Sequence, residues 1–254
     1  MIFSLIVPTR RRTEGITRLL QSVSDNTYDK KTVEVLFACD TDDKPTFNHL
    51  NDIKSTKFKD LKIEAFMRPR SPFLNNDYYN WLCQYATGEF YCIMGDDVII
   101  KNKNWDLLAK NKIDELTKDV IDGVFYGNIS DGTVPPGGSE KSFCCFPIIS
   151  KKAFDAVGFL LPKEIATWGA DVVLYELYQK INRVYDLRKE VVYDHISHHN
   201  YSNIQRDNVS FDIEKNYKSL GAGKTVMRWR SSVLPHSQYK LRKYIESFKK
   251  EKTC

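Results

Sequence analysis

The chain has 254 residues, of which 42% are hydrophobic and 28% are charged. These values are typical of a soluble globular protein with one large domain or two small ones. The net charge is +5, but six Lys or Arg and two Glu between positions 238 and 252 supply +4 of it. The remainder is nearly neutral, so no nucleic-acid-binding surface is expected there.

The first hundred residues alternate between two hydrophobic patterns. Short apolar runs predict strands at 2–8, 33–40, 61–67 and 89–98. Apolar residues at helical spacing predict helices at 14–26 and 76–87. Alternation of strands and helices at this spacing predicts a doubly wound, mainly parallel sheet.

The second half continues the same domain with less regular patterns. A Pro/Gly-rich loop at 134–138 precedes a short predicted helix, KKAFDAVGF, and an amphipathic helix at 167–181. A strand at 190–199 then ends in a cluster of His residues. The segment YKLRKYIESFKK predicts a basic amphipathic helix, which either docks on the body or contacts a membrane surface or a partner.

The sequence leads us to expect neither a signal peptide nor a membrane span. No stretch approaches the roughly 18–20 apolar residues of a membrane span. The start, MIFSLIVPTRRR, does not resemble a signal peptide, because its apolar run is short and its basic residues follow that run. We therefore expect a soluble, cytoplasmic protein with reduced Cys side chains that mostly pack in the core.

Three polar clusters stand at the predicted carboxyl ends of strands, where doubly wound sheets bind ligands. They are PTRRR after the first strand, DTDD after the second and GDD after the fourth. We expect them to converge. Asp96 and Asp97 pose an energetic problem, since burying ionised carboxylates costs several kcal/mol without compensation. A divalent metal, Arg or Lys side chains, or solvent could each compensate for the two charges.

Four stretches in chain order resemble a known enzyme family. They are SLIVPTRRRTEGITRLLQSV, EVLFACDTDD, LNNDYYNWLCQYATGEFYCIMGDDV and the segment 146–181. Together they resemble the nucleotide-sugar-dependent glycosyltransferases of the GT-A fold, of the inverting family-two kind. The resemblance covers roughly residues 1–200.

The resemblance implies a GT-A-like, Rossmann-like α/β fold with a mainly parallel central sheet flanked by helices. One catalytic domain would span 1–200, with a nucleotide-binding half at 1–100 and an acceptor-side half at 101–200. Residues 201–254 would form an extension that carries the basic helix. The implied reaction moves a sugar from a nucleotide-diphosphate sugar, UDP-sugar first among them, to a hydroxyl of a glycan or glycoprotein.

The resemblance also implies site residues on the donor side. Positions that match the donor-binding motifs are Pro8, Thr9, Arg10, Asp40, Asp96 and Asp97. Arg12 and Arg68 are candidate diphosphate contacts, because guanidinium groups match phosphate, although each could equally be surface charge. One of Asn75 and Asn76 is expected to cap the following helix, and Asn76 is expected to touch the donor.

The implied cofactor is Mn²⁺ or Mg²⁺. Asp97 matches the metal ligand of the family's D-x-D motif, which here has Gly95 in place of its first Asp. Asp96 would support its neighbour. A His after the amphipathic helix would complete the metal shell, with His195 as first choice and His198 as second.

Asp171 matches the position of the general base. Transfer with inversion requires a carboxylate that takes the proton of the attacking hydroxyl. The alternative is that Asp171 serves only as a helix N-cap. On the acceptor side we expect Trp168, whose ring could stack on a sugar or belong to the core, and Gly137 and Gly138 of the Pro/Gly-rich loop.

Two other functions share this fold class. A sugar-phosphate nucleotidyltransferase would carry a glycine-rich loop after the first strand, and PTRRRTEG lacks those glycines. A non-catalytic nucleotide- or glycan-binding module is the second alternative, and the presence of Asp97 and Asp171 argues against it.

Overall fold

A computed structural model describes residues 1–132, 143–167, 169–196 and 222–251. Its centre is a seven-stranded sheet in the order β3-β2-β1-β4-β7-β6-β8. The strands are β1 Phe3–Thr9, β2 Val33–Asp40, β3 Lys62–Arg68, β4 Phe90–Ile93, β6 Tyr126–Asn128, β7 Ile148–Ser150 and β8 Val184–Asp186. A separate ribbon pairs β5 Val98–Ile100 with β9 Tyr193–His195.

Six α-helices accompany the sheet in the described residues. They are α1 Thr13–Asn26, α2 Lys44–Ser55, α3 Trp105–Thr117, α4 Lys151–Val157, α5 Ala170–Gln179 and α6 Ala222–Glu251. Between β3 and β4 the chain forms a π-helical turn, Asn75–Asn80, which overlaps the start of the predicted helix at 76–87. Such turns are rare in proteins overall, and those that occur are often found at functional sites.

The strand order creates a switch point between β1 and β4. Strands β3, β2, β1 and β4 are parallel, whereas β7 runs antiparallel to β4 and β6. The chain moves outward from β1 through β2 to β3 and then returns to the other side of β1. Ligands of doubly wound sheets bind at such a crevice. The predicted α/β fold class is confirmed.

The predicted strand at 89–98 is wrong in extent. β4 ends at Ile93, and the backbone turns between Gly95 and Val98, whose N–H donates to the Gly95 carbonyl at 3.3 Å. β5 begins at Val98 and pairs with β9 rather than with the main sheet. Two acids cannot continue a buried strand, so the chain bends and places them in the turn.

A buried carboxylate fixes the opposite, amino-terminal edge of the sheet. Glu34 on β2 is fully buried and accepts hydrogen bonds from Ser4 (2.6 Å), Lys62 (2.6 Å) and the backbone N–H of Thr87 (2.6 Å). Burial opposes ionisation of Glu34, but these donors outweigh it and hold its pKa below the usual value. The cluster joins β1, β2 and β3 to the turn before β4.

The C-terminal helix α6 packs against α4 and α5 through one face. Trp229, Leu234, Leu241 and Ile245 on that face are buried. Arg230 also pairs with Glu176 of α5. Among the described helices, none is sufficiently long and apolar to cross a membrane.

Helix α1 approaches the turn at Asp96 so closely that only glycine fits at position 15. A Cβ on Gly15 would lie 2.7 Å from the backbone oxygen of Asp96. We expect Gly15→Ala to reduce the free energy of unfolding by about 1–2 kcal/mol, because overpacking outweighs the gain in helix propensity. Urea denaturation measures this change.

The control is Glu14→Ala, an exposed neighbour on the same helix, which should change stability by less than about 0.5 kcal/mol. A Gly15→Ala variant as stable as the wild type would contradict the close packing of α1 on this turn.

Candidate active site

The loop after β1 connects two sides of the crevice. Arg11 adopts a left-handed backbone conformation (φ 53°), and its N–H donates to Asp43 Oδ2 at 2.7 Å. The flanking side chains reach different strands: Arg10 contacts Asp40 at 2.8 Å, and Arg12 contacts Asp96 at 2.7 Å. The three polar clusters predicted from the sequence therefore meet at one edge of the sheet.

Asp96 is the buried member of the acid pair, with 5% of its surface exposed. Its Oδ2 accepts from the Thr9 hydroxyl at 2.7 Å, and its Oδ1 accepts from Arg12 Nη1 at 2.7 Å. Burial raises the pKa of Asp96, while the charge of Arg12 opposes that rise. Asp96 therefore joins the β1 loop to the turn after β4.

Asp97 is more accessible and faces a histidine. Its Oδ2 lies 3.5 Å from His195 Nε2 and 3.5 Å from Arg12 Nη1. Burial disfavours the carboxylate, but the hydrogen bond and charge of His195 outweigh burial and lower the pKa of Asp97. The β5–β9 ribbon sets this approach, because Val98 pairs with His195 and the Ile196 N–H donates to the Asp97 carbonyl at 3.0 Å.

Asp97 and His195 also fit a divalent metal. A carboxylate oxygen and an imidazole nitrogen that face each other across 3.5 Å are ligands suited to Mn²⁺. In the described part of the chain, no group of three or more His, Cys, Asp or Glu side chains could hold a metal. The pair therefore fits an ion that takes few protein ligands and completes its shell with phosphate and water.

Asp40 at the end of β2 is 2% exposed and already hydrogen-bonded. The Tyr78 hydroxyl of the π-helical turn donates to its Oδ1, and Arg10 donates to its Oδ2. Burial and the Asp40 carboxylate raise the pKa of Tyr78, so the hydroxyl keeps its proton. Arg68 lies over the Tyr78 ring, 4.7 Å from its centroid.

The two Asn residues of the π-helical turn differ. Asn76 donates to Asp77 at 2.8 Å near the surface. Asn75 is buried, and its amide donates to the carbonyls of Ile165 (2.6 Å) and Thr167 (3.1 Å). Neither side chain caps the helix; Asn75 instead anchors the segment that leads to α5.

Asp171 is the second residue of α5, and it is not the N-cap. The N-cap position belongs to Gly169, with φ 84°. The Oδ1 of Asp171 accepts from the Val172 N–H at 2.9 Å, and its Oδ2 accepts from Cys145 Sγ at 3.3 Å. Burial raises the pKa of Asp171 despite both hydrogen bonds. A carboxylate with a raised pKa suits proton abstraction.

Three residues beside Asp171 and His195 were missed by sequence reasoning. Asp131 is 1% exposed and accepts from the backbone N–H groups of Cys145 (2.6 Å) and Phe146 (3.3 Å). The Phe146 ring lies 4.8 Å from the His195 ring. Core packing, the expectation for the Cys pair, holds for buried Cys144 but not for half-buried Cys145. Only the fold brings these residues together, since no local pattern marks them.

Several predicted site residues lie outside the described residues. They are Gly137, Gly138, Trp168 and His198. Their roles stay predictions.

Comparisons with solved structures support the same fold. S. aureus TarS 1–349 with UDP has a TM-score of 0.60 and 18% identity, and the match covers 76% of this chain and 60% of that one. The mannosyltransferase PcManGT from Pyrobaculum calidifontis, with GDP-Man and Mn²⁺, has a TM-score of 0.56 and 13% identity, covering 94% and 74%. GalNAc-T7 with UDP, GalNAc and Mn²⁺ has a TM-score of 0.57 and 12% identity, covering 77% and 44%.

No curated protein sequence matches the chain significantly. The sequence profile of glycosyl transferase family 2 matches residues 4–166, which is more than half of the chain. The resemblance drawn from the four sequence stretches is therefore confirmed: the chain belongs to glycosyl transferase family 2 and has the GT-A fold.

Proposed function

We propose that the chain is an inverting glycosyltransferase that moves a sugar from a nucleotide-diphosphate sugar to an acceptor hydroxyl. One observation carries the proposal. The cationic β1 loop and the Asp97–His195 pair meet at the switch point, and Asp171 is joined to them through the dipeptide Cys145-Phe146. A donor site and a base are thus held in one crevice.

The donor occupies the carboxyl ends of β1, β2 and β4. The residues assigned to it are Pro8, Thr9, Arg10, Arg12, Asp40, Arg68, Asn76, Asp96 and Asp97. Arg10 and Arg12 supply positive charge for the diphosphate, because guanidinium groups bind phosphate through paired hydrogen bonds. The TarS complexes with UDP and UDP-GlcNAc support UDP as the nucleotide.

Asp97 and His195 would hold a divalent ion, Mn²⁺ or Mg²⁺. The ion would supply positive charge that offsets the charge on the departing diphosphate. The structures of PcManGT with GDP-Man and Mn²⁺ and of GalNAc-T7 with UDP, GalNAc and Mn²⁺ support this assignment. Arg12 contacts both acids and contributes a second positive charge at the same place.

Asp171 takes the proton in the transfer step. The acceptor oxygen forms a bond to the anomeric carbon on the face opposite the nucleotide, and the bond from that carbon to the diphosphate oxygen breaks. The hydroxyl proton moves to the Asp171 carboxylate, and the electron pair leaves with the nucleoside diphosphate. A single displacement inverts the configuration. The acceptor, a glycan or glycoprotein, is assigned to the side of Trp168, Gly137 and Gly138.

Replacing Asp171 tests the base. Asp171→Asn should lower turnover at least about a hundredfold, because an amide cannot accept the proton, and should leave UDP affinity nearly unchanged. In the wild type, the active form is the carboxylate, so turnover should fall as pH drops through the raised pKa of Asp171. Release of nucleoside diphosphate as a function of pH measures both effects.

The matched control is Asp155→Asn on α4, an exposed acid paired with Lys151, which should keep wild-type turnover. Undiminished turnover in Asp171→Asn would remove the base assignment.

Replacing Asp97 tests the metal site. In the wild type, Mn²⁺ should strengthen UDP binding, and EDTA should reverse that gain. In Asp97→Ala the gain should be lost, because the remaining imidazole is a single ligand. Isothermal titration calorimetry with UDP, with and without Mn²⁺, measures it. An equal Mn²⁺-dependent gain in UDP affinity in Asp97→Ala and in the wild type would contradict the metal role of Asp97.

We also propose that α6 contacts an anionic membrane surface. The face opposite the buried one carries exposed Lys224, Arg228, Arg242 and Lys243, with Glu246 as an acid among them. Tyr239 on the same face is 58% exposed. Clustered cations beside an exposed aromatic ring complement anionic lipid headgroups, whereas a polyanion in solution offers the ring no apolar layer.

Sedimentation with vesicles tests this surface. The wild type should bind vesicles of mixed phosphatidylcholine and phosphatidylglycerol more tightly than pure phosphatidylcholine. Arg228→Glu with Arg242→Glu should weaken the binding at least about tenfold. The control Lys57→Glu with Lys59→Glu makes the same charge change on another surface and should retain binding. Equal binding by both double variants would exclude α6 as the contact.

A further inference from the structure

A thiol contacts the carboxylate assigned as the base. Cys145 Sγ donates to Asp171 Oδ2 at 3.3 Å, while Oδ1 of the same carboxylate accepts from the Val172 N–H. The two donors hold the two oxygens from different directions. The plane of the carboxylate is therefore fixed by one contact within α5 and one from outside it.

The thiol is itself held in place. The backbone N–H groups of Cys145 and Phe146 both donate to the buried carboxylate of Asp131, at 2.6 Å and 3.3 Å. A buried carboxylate that accepts two backbone hydrogen bonds strongly restrains the dipeptide. Cys145 therefore presents its thiol to Asp171 from a restrained backbone.

The same dipeptide reaches the donor side. The Phe146 ring packs edge-on against the His195 ring, with centroids 4.8 Å apart and planes at 79°. The Phe146 ring also lies close to Gly95, because a Cβ added at Gly95 would be 3.5 Å from that ring. One side chain of the dipeptide thus touches the base and the next touches the histidine beside Asp97.

We propose that Cys145 is a positioning residue, which orients the Asp171 carboxylate toward the acceptor hydroxyl and stabilises its ionised form. Asp131 anchors the backbone of Cys145, and the contact between the Phe146 and His195 rings fixes the position of the dipeptide relative to the donor side. The proposal rests on the proposed function, in which Asp171 is the base. It gives Cys145 no direct contact with the reacting atoms.

Other titratable groups face Asp171 as well. Asp131 lies close enough for its negative charge to raise the pKa of Asp171. Tyr126 and Cys144 also lie nearby, and burial raises the pKa of each well above neutrality, so both remain uncharged. Against these groups, the thiol of Cys145 acts in the opposite direction, because its hydrogen bond favours the carboxylate.

Two substitutions at position 145 separate positioning from packing. Cys145→Ala removes the donor, so the acid limb of the pH profile of turnover should move to higher pH by about half a unit to one unit. Cys145→Ser restores a donor of similar size, so the acid limb of its pH profile should lie at the same pH as in the wild type or at a lower pH. Turnover is measured as UDP release from UDP-GlcNAc, or from whichever nucleotide-sugar of a panel turns over fastest.

A second measurement does not need turnover. The ¹³C carboxyl signal of Asp171, assigned by its loss in Asp171→Asn, should titrate at higher pH in Cys145→Ala than in the wild type. The control Cys83→Ala removes a buried thiol that donates to the Tyr79 carbonyl, and it should leave this titration unchanged.

The outcomes distinguish the two proposals. If Asp171→Asn keeps wild-type turnover, the base assignment fails, and the positioning role fails with it. If Asp171→Asn is inactive while Cys145→Ala has the wild-type pH profile and ¹³C titration, only the positioning role is overturned. A shift of equal size and direction in Cys145→Ser and Cys145→Ala would also overturn it, since packing would then explain the shift.

Discussion

The contact of Arg12 with the acid pair is the interaction on which the rest of the crevice depends. Asp96 is almost fully buried, and an ionised carboxylate at such a position costs several kcal/mol unless a cation and strong donors meet it. Arg12 meets both Asp96 and Asp97, and Thr9 supplies a further donor. The loop after β1 is therefore tied to the turn after β4. Helix α1, which continues from that loop, packs directly against the same turn at Gly15.

The two neighbouring acids, Asp96 and Asp97, have different roles in the crevice. Asp96 accepts hydrogen bonds from Thr9 and Arg12, so it stabilises the donor side of the crevice. Asp97 is more exposed than Asp96, and its Oδ2 lies 3.5 Å from His195 Nε2, where we propose that a metal and the diphosphate bind. The β5–β9 ribbon brings that histidine to the switch point, and the restrained dipeptide Cys145-Phe146 extends the arrangement to Asp171. The proposed donor-side groups and the proposed base thereby belong to one connected framework.

The sequence predicted the α/β class, the parallel strands and the meeting of the three polar clusters, because periodicity and strand-end chemistry are local signals. It also placed Asp171 on a helix and His195 at a strand end. It did not predict that Arg12 is the cation that meets Asp96, because a divalent metal, an Arg or Lys side chain, or solvent could each compensate for the two charges. Asp131 and Cys145 act through contacts across the fold, and neither carries a local motif. The π-helical turn was hidden within a helical pattern, since periodicity alone does not reveal a local change of helical geometry.

We propose above all that this crevice cleaves a nucleotide-sugar. The most direct measurement follows products by chromatography when the protein is incubated with Mn²⁺ and either nucleotide-sugars or a nucleoside triphosphate with sugar 1-phosphate. We expect slow release of nucleoside diphosphate and free sugar from at least one nucleotide-sugar, with water as the acceptor. Formation of nucleotide-sugar and pyrophosphate from the second mixture, without any release of nucleoside diphosphate from the first, would contradict the proposal.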